Sequence, residues 1–217
     1  MSKFRRQLMM ASMGEPVPPT PPLPYDAEVE YLEGTGTQYI DTGLQINYMS
    51  SVVVEERCRL AYTVTNVRQL NGSNGFGYWG CTANNKFECA GGTSSATSTS
   101  VGTGWHDVSW TYKYENSKGH TILYVDNTKI KDSRGQTISY NDDFDIFIYA
   151  IGGRNDAAAQ LFCKEKIASY QIYFDNVLVR DYISVRKDGV GYLYDRVSGQ
   201  LFGNSGTNSF LYGNDKN

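Results

Sequence analysis

Gln171-Ile-Tyr-Phe-Asp175-Asn176-Val-Leu-Val-Arg180 reads as two short strands joined by a two-residue turn. The flanking residues are β-branched or aromatic, and Asp-Asn tolerates the left-handed backbone that a tight hairpin needs. Ile122-Leu-Tyr-Val-Asp126-Asn127-Thr-Lys-Ile-Lys131 repeats the pattern. Outward from these two hairpins, short apolar runs alternate with Gly, Asn, Asp and Ser turns from Tyr25 onward. The expected strands are Glu28–Leu32, Thr37–Thr42, Ser51–Leu60, Phe76–Cys81, Lys86–Ala90, Trp105–Tyr114, Thr121–Asp126 and Thr128–Lys131. Asp145–Ile151, Ala168–Phe174, Val177–Ser184, Gly191–Tyr194 and Phe210–Tyr212 follow, giving about thirteen in all. Trp110, Tyr112 and Tyr114 share one side of their strand, the period-two mark of a half-buried face. The low-complexity run Gly91–Gly104 suits a mobile loop or an edge strand. No stretch carries a ten-residue helical period. So many antiparallel strands do not stay in one flat sheet, and the expected fold is all-β, a two-sheet antiparallel jelly-roll sandwich.

All six prolines lie in Glu15-Pro-Val-Pro-Pro-Thr-Pro-Pro-Leu-Pro24. They divide the chain into a leader, 1–14, a linker, 15–24, and a body, 25–217. A polyproline linker of this length reaches about 30 Å at ~3.1 Å per residue. Of 20 Lys/Arg and 23 Asp/Glu, only Lys3, Arg5, Arg6 and Glu15 precede residue 25, leaving 17 against 22 in the body, net −5. An acidic body argues against nucleic acid, which wants a basic face. No apolar run approaches the ~20 residues of a membrane span. The leader imitates a secretory signal in Lys3, Arg5, Arg6 and Leu8-Met-Met-Ala11. Its apolar part is shorter than the ~7–15 residues such a signal needs.

Cys58, Cys81, Cys89 and Cys163 form no CxxC pair, and only His106 and His120 accompany them, so the pattern does not call for zinc. Four cysteines allow three pairings and the sequence does not choose among them. A hairpin could bring Cys81 and Cys89 face to face, and four buried thiols is the stronger reading for a protein that matures in a cytoplasm.

Tyr31-Leu-Glu-Gly-Thr-Gly-Thr-Gln-Tyr-Ile-Asp-Thr-Gly43 resembles the opening of laminin-G-like, concanavalin A-like jelly rolls of bacteriophages and gut bacteria. LYVDN at 123–127, IGGR at 151–154 and the run Lys166–Thr207 agree with it. The resemblance covers nearly all of the body and implies the sandwich. The fold itself hosts lectins, glycosidases and structural modules alike. Ser2-Lys-Phe-Arg-Arg-Gln-Leu-Met-Met-Ala11 is similar to the start of many Bacteroides phage and prophage proteins. That similarity implies a docking tag on a virion surface protein, a head fibre or capsid decoration protein of a crAss-like phage. The residues suit that role. Phe4, Leu8 and Ala11 have helical spacing, Met9 and Met10 are adaptable, and Lys3, Arg5 and Arg6 match an acidic capsid surface. Composition alone equally allows a solvated tail. The expected partners are capsid or other virion proteins through residues 1–24, and host-surface carbohydrate. The expected setting is the virion, with a secreted gut-bacterial lectin or hydrolase as the alternative.

Chemistry is sparse. Glu28, Glu30 and Glu33 approach the carboxylate spacing of sheet-borne glycosidases. They sit on the first strand, with no Trp nearby in sequence and Glu where such enzymes hold Asp, so a solvent-facing acidic stripe is the stronger reading and no catalytic residue is assigned. Asn141-Asp142-Asp143-Phe-Asp145 offers calcium-type oxygens but reads better as a polar turn. No metal or cofactor is assigned, and His106 and His120 read as ordinary strand or turn residues. Sugar binding without catalysis fits best, through an aromatic platform with loop polar groups. Asn74, Tyr78, Trp79 and Trp105 are the candidates, while Trp110 reads as core. Seventeen Tyr also suit subunit contacts, so a homo-oligomer is expected.

Overall fold

The computed structural model describes residues 22–47, 49–64, 68–73, 77–90, 94–137, 143–152 and 158–217. The anchor candidates Lys3 to Met10, the linker up to residue 21, and Asn74 lie outside the described residues. Strands in chain order are β1 (Ala27–Glu28), β2 (Leu32–Glu33), β3 (Ile40–Asn47), β4 (Val54–Tyr62), β5 (Gln69–Ser73) and β6 (Gly77–Cys81). Next come β7 (Lys86–Ala90), β8 (Ser94–Ser100), β9 (Trp105–Glu115), β10 (Lys118–Val125), β11 (Thr128–Thr137) and β12 (Asp143–Ile148). The last are β13 (Ile151–Gly152), β14 (Glu165–Phe174), β15 (Val177–Lys187), β16 (Val190–Asp195), β17 (Gln200–Phe202) and β18 (Leu211–Tyr212).

They form two sheets. The larger runs β11-β10-β9-β4-β14-β15-β16-β17, with β1 on β15 and β2 between β14 and β18. The smaller runs β3-β12-β5-β6-β7-β8. Pairing is antiparallel apart from β13 on β5. The all-β two-sheet sandwich expected from the hairpins is the fold observed.

Alternation explains how the sheets stack. On β4, Val54, Glu56, Cys58 and Leu60 are buried, while Glu55, Arg57 and Arg59 face out. On β9, Val108, Trp110 and Tyr112 go inward and Trp105, Asp107 and Ser109 outward. On β14 the parity changes, because a bulge between Ile167 and Ser169 lets Ile167 and Tyr170 both point inward. The two inner faces interlock: Trp79 of the smaller sheet stacks on Tyr170 of the larger, with ring centroids 6.2 Å apart. Trp110 is core, as expected, with its indole N–H donating to Thr121 Oγ1 at 2.6 Å.

The Asp-Asn turns have the required geometry. φ is 49° and 63° at Asp126 and Asn127, and 49° and 66° at Asp175 and Asn176. Asn116-Ser117 and Asp188-Gly189 make two further two-residue turns with positive φ at both positions. All four have the twist that matches right-handed strands.

Several expectations change in detail. Glu28–Leu32 is not one strand: β1 pairs with β15, Val29 bridges to Asp215, and β2 pairs with β14. β5 was not expected, because Gln69-Leu-Asn-Gly-Ser is polar. Gln69 and Asn71 are nonetheless fully buried, with their amides bonded inside the sandwich. The low-complexity run contains β8, the edge strand of the smaller sheet. Cys81 and Cys89 do not face each other, since the register sets Cys81 opposite Phe87 and Cys89 opposite Trp79. All four cysteines are buried free thiols. Tyr62, Tyr112, Tyr149, Tyr170 and Tyr182 are among the largest fully buried side chains.

Candidate ligand-binding face

The outward side of the larger sheet carries a groove of about 570 Å³, lined from β4, β9, β10 and β14. That is within the ~300–1,000 Å³ typical of small-molecule sites. Cross-strand register builds it in rungs. Tyr124, Ser109, Arg57, Gln171 and Asp181 lie side by side across β10, β9, β4, β14 and β15. The next rung sets Asp107, Arg59 and Ser169 together. On the other side, Thr111, Glu55 and Tyr173 align.

Each arginine of β4 is held twice. Arg57 Nε donates to Glu55 Oε1 at 2.7 Å, and its guanidinium lies 4.7 Å from the Tyr173 ring centroid. Arg59 Nη1 reaches both oxygens of Asp107 at 3.0 Å, and its guanidinium lies 5.7 Å from the Trp105 ring. The two forks therefore lean in opposite directions along β4, toward the Tyr173 rung and toward the Trp105 end. The floor between them is left to Ser109 and Ser169. The bond to Glu55 holds the Arg57 guanidinium still more firmly in its charged form. Beyond Arg59, Trp105 and Tyr31 approach to 6.1 Å, and Lys166 Nζ sits 4.4 Å over the Tyr31 ring. Gln171 is fixed by donating to Asp181 and accepting from the Tyr173 hydroxyl, both at 3.0 Å. The face thus offers aromatic surface, guanidinium donors, carboxylate acceptors and hydroxyls, all on strands.

The three sugar candidates among the described residues, Tyr78, Trp79 and Trp105, do not converge. Trp105 belongs to this face and is 40% exposed. Tyr78 is on the smaller sheet, with its hydroxyl accepting from Arg68 Nη2 at 2.7 Å. Trp79 is 1% exposed and offers no face to a ligand from outside, because its ring fills the space between the sheets. Arg57, Arg59, Asp107, Gln171, Tyr124 and Tyr173 were not singled out from sequence. The available signal was Glu55-x-Arg57-x-Arg59, three charges on one side of a strand.

The acidic stripe is occupied. Glu30 accepts from Asn214 at 3.3 Å, while Glu33 and Glu28 lie 3.7 and 3.9 Å from Lys166 and Lys216. These contacts fasten the first strands to β14 and the C-terminal segment. Asp143 and Asp145 of the proposed polar turn lie on β12, accepting from Asn47 and Gln45 of β3. Asn141 and Asp142 are outside the described residues. Among the described residues no three His, Cys, Asp or Glu side chains gather as metal ligands. His106 and His120 sit on β9 and β10, each 2.9 Å from an aspartate, Asp126 and Asp132.

Two carboxyls lie on the other side of the same strands, inside the core. Glu56 Oε2 accepts from Trp79 Nε1 at 2.6 Å and from the Tyr170 hydroxyl. Glu165 Oε1 accepts from Asn71 Nδ2 at 3.0 Å, and Asn71 Oδ1 accepts from the Tyr149 N–H at 2.7 Å. Burial raises both carboxyls to about 7, against the hydrogen bonds that favour the charged form. They tie sheet to sheet and do not open onto the groove.

Among solved structures, the fold is similar to a candidate carbohydrate-binding protein from Bacteroides ovatus. The TM-score is 0.56 and the identity 14%, over 86% of this chain and 60% of that one. At that identity the likeness shows the sandwich fold, and the chain spans 60% of the length of that structure. No family model and no curated protein matches the chain.

Proposed function

We propose that residues 25–217 form a non-catalytic carbohydrate-binding module whose site is the outward groove of the larger sheet. The observation that carries this is the pairing of Arg57 with Tyr173 and of Arg59 with Trp105 around a strand-built polar floor. Sugars present apolar C–H faces and hydroxyls, which such a surface meets with rings and fixed donors and acceptors. The likeness to a candidate carbohydrate-binding protein supports the reading. The binding role is kept apart from catalysis because the surface glutamates are tied to lysines and Asn214, and the two high-pKa carboxyls are enclosed. The test is retention on a panel of immobilised polysaccharides. Binding is expected, and Trp105→Ala and Tyr173→Ala should weaken it. Absence of retention on every glycan, or retention indifferent to both variants, removes the reading.

The setting is proposed on the resemblance of the leader. Residues 1–14 dock on a phage particle through Lys3, Phe4, Arg5, Arg6, Leu8, Met9 and Met10. Residues 15–24 act as a spacer, and the module faces outward as a head fibre or capsid decoration. Many copies on one particle turn weak single-site contacts into firm attachment. Deleting residues 2–14 should leave a folded module that no longer co-sediments with capsids. Retained co-sedimentation sinks the docking role, and a natural protein starting beyond residue 13 favours secretion instead.

A further inference from the structure

The groove has more donors than its own acceptors use. Arg57 bonds only through Nε, and Arg59 only through Nη1, so among the described residues three of their four terminal amino groups and Arg59 Nε are without a protein partner. Both side chains are about half exposed, at 52% and 50%. They stand two residues apart on the same face of β4, about 7 Å along the strand. Like charges this close on one sheet face repel, which the protein moderates with one carboxylate each. Such exposed ion pairs are weak and yield readily to a better acceptor. The Tyr173 and Trp105 rings beside the guanidiniums orient both forks. Ser169, Asn127 and Tyr124 line the groove around them, while the Ser109 hydroxyl donates to Glu55 Oε1 at 3.4 Å.

We propose that the ligand of this groove is an anionic glycan, whose sugar rings carry carboxylate or sulfate groups received by Arg57 and Arg59. The inference rests on the reading of this face as a carbohydrate site. Planar guanidinium forks match the paired oxygens of both groups, which neutral hydroxyls do not. Tyr173 and Trp105 then serve twice, orienting the arginines and flanking the sugar rings on either side. The body is net negative, so the attraction is local to the groove and long-range steering contributes nothing.

The experiment measures affinity of the full chain for polygalacturonate, dextran sulfate, fully methyl-esterified polygalacturonate and dextran, at low and at raised NaCl. Arg57→Gln and Arg59→Gln are compared with Lys187→Gln, an exposed cation far from the groove. Binding of either acidic polymer in preference to its neutral counterpart is expected, and which one binds tells carboxylate from sulfate. Each arginine variant should lose roughly tenfold in affinity, with unchanged melting temperature. Raised salt should weaken what remains. Equal binding of neutral and acidic polymers, lost in Trp105→Ala, overturns the anionic ligand and leaves the carbohydrate site standing. Equal losses in Lys187→Gln and the arginine variants overturn it as non-specific charge attraction. Failure of every polymer to bind removes the carbohydrate site and the inference with it.

Discussion

Replacing Glu56 by Gln should stabilise this domain at neutral pH and change little in acid. The carboxyl is held at about 7 in the fold, against 4.5 as its ordinary value. Between those values the unfolded chain gives up its proton while the folded one keeps it. The folded state therefore binds more protons, and stability falls as pH rises from about 4.5 to about 7, then levels off. Fully developed, the loss is about 3 kcal/mol for one such carboxyl, a large part of the ~5–15 kcal/mol that holds a domain together. Gln keeps an oxygen to accept from Trp79 and Tyr170 and carries no charge at any pH. Urea unfolding at pH 4.5, 6 and 8 checks this, with the midpoint converted to a free energy at constant m. The variant and the natural chain should agree near pH 4.5 and diverge by about 3 kcal/mol at pH 8, with the variant higher. Surface carboxyls such as Asp215, held low by the Arg186 hydrogen bond, act in the opposite direction in acid, and taking the difference between the two curves removes them. A natural chain that is level or gains stability from pH 4.5 to 8 relative to Glu56→Gln refutes the reasoning.

Trp79→Ala and Trp105→Ala should separate core from site. The first empties the space between the sheets and costs about 3–5 kcal/mol. The second stays within about 1 kcal/mol by the same unfolding assay, while its glycan retention falls. Gly77→Ala places a Cβ 2.6 Å from Trp110 Cζ2 and should cost about 1–3 kcal/mol, part of it regained with Trp110→Phe. Asn176→Val, at φ 66°, should lower stability by about 1–2 kcal/mol, whereas Asn176→Gly leaves the melting temperature nearly unchanged.

The legible part of the fold was local. Asp126-Asn127 and Asp175-Asn176 announced their turns because left-handed backbone selects few residues, and Trp110-x-Tyr112 announced an inward face by period two. β5 stayed hidden because the buried Asn71 amide finds partners, Glu165 and Tyr149, that are distant in sequence. Glu56 breaks the alternation of β4 for the same reason: an inward Glu makes sense only once Trp79 and Tyr170 are in place. The groove was legible in one strand only. Glu55, Arg57 and Arg59 share a face by spacing, but Asp107 and Tyr173 reach them through registers set by the whole sheet. Trp79 and Trp105 look alike in composition, and only their parity on β6 and β9 separates a core ring from an exposed one.

The junction at Ala27 has a mechanical meaning. β1 is hydrogen-bonded to β15, β15 to β14, and β14 to β4, which carries Arg57 and Arg59. Arg186, opposite Ala27, also grips Asp215 through two bonds of 2.7 Å. A pull between residue 25 and anything seated on the groove therefore travels through one sheet, ladder by ladder. The smaller sheet lies off that load path, joined to it sideways through the bonds of Trp79 to Glu56 and of Asn71 to Glu165.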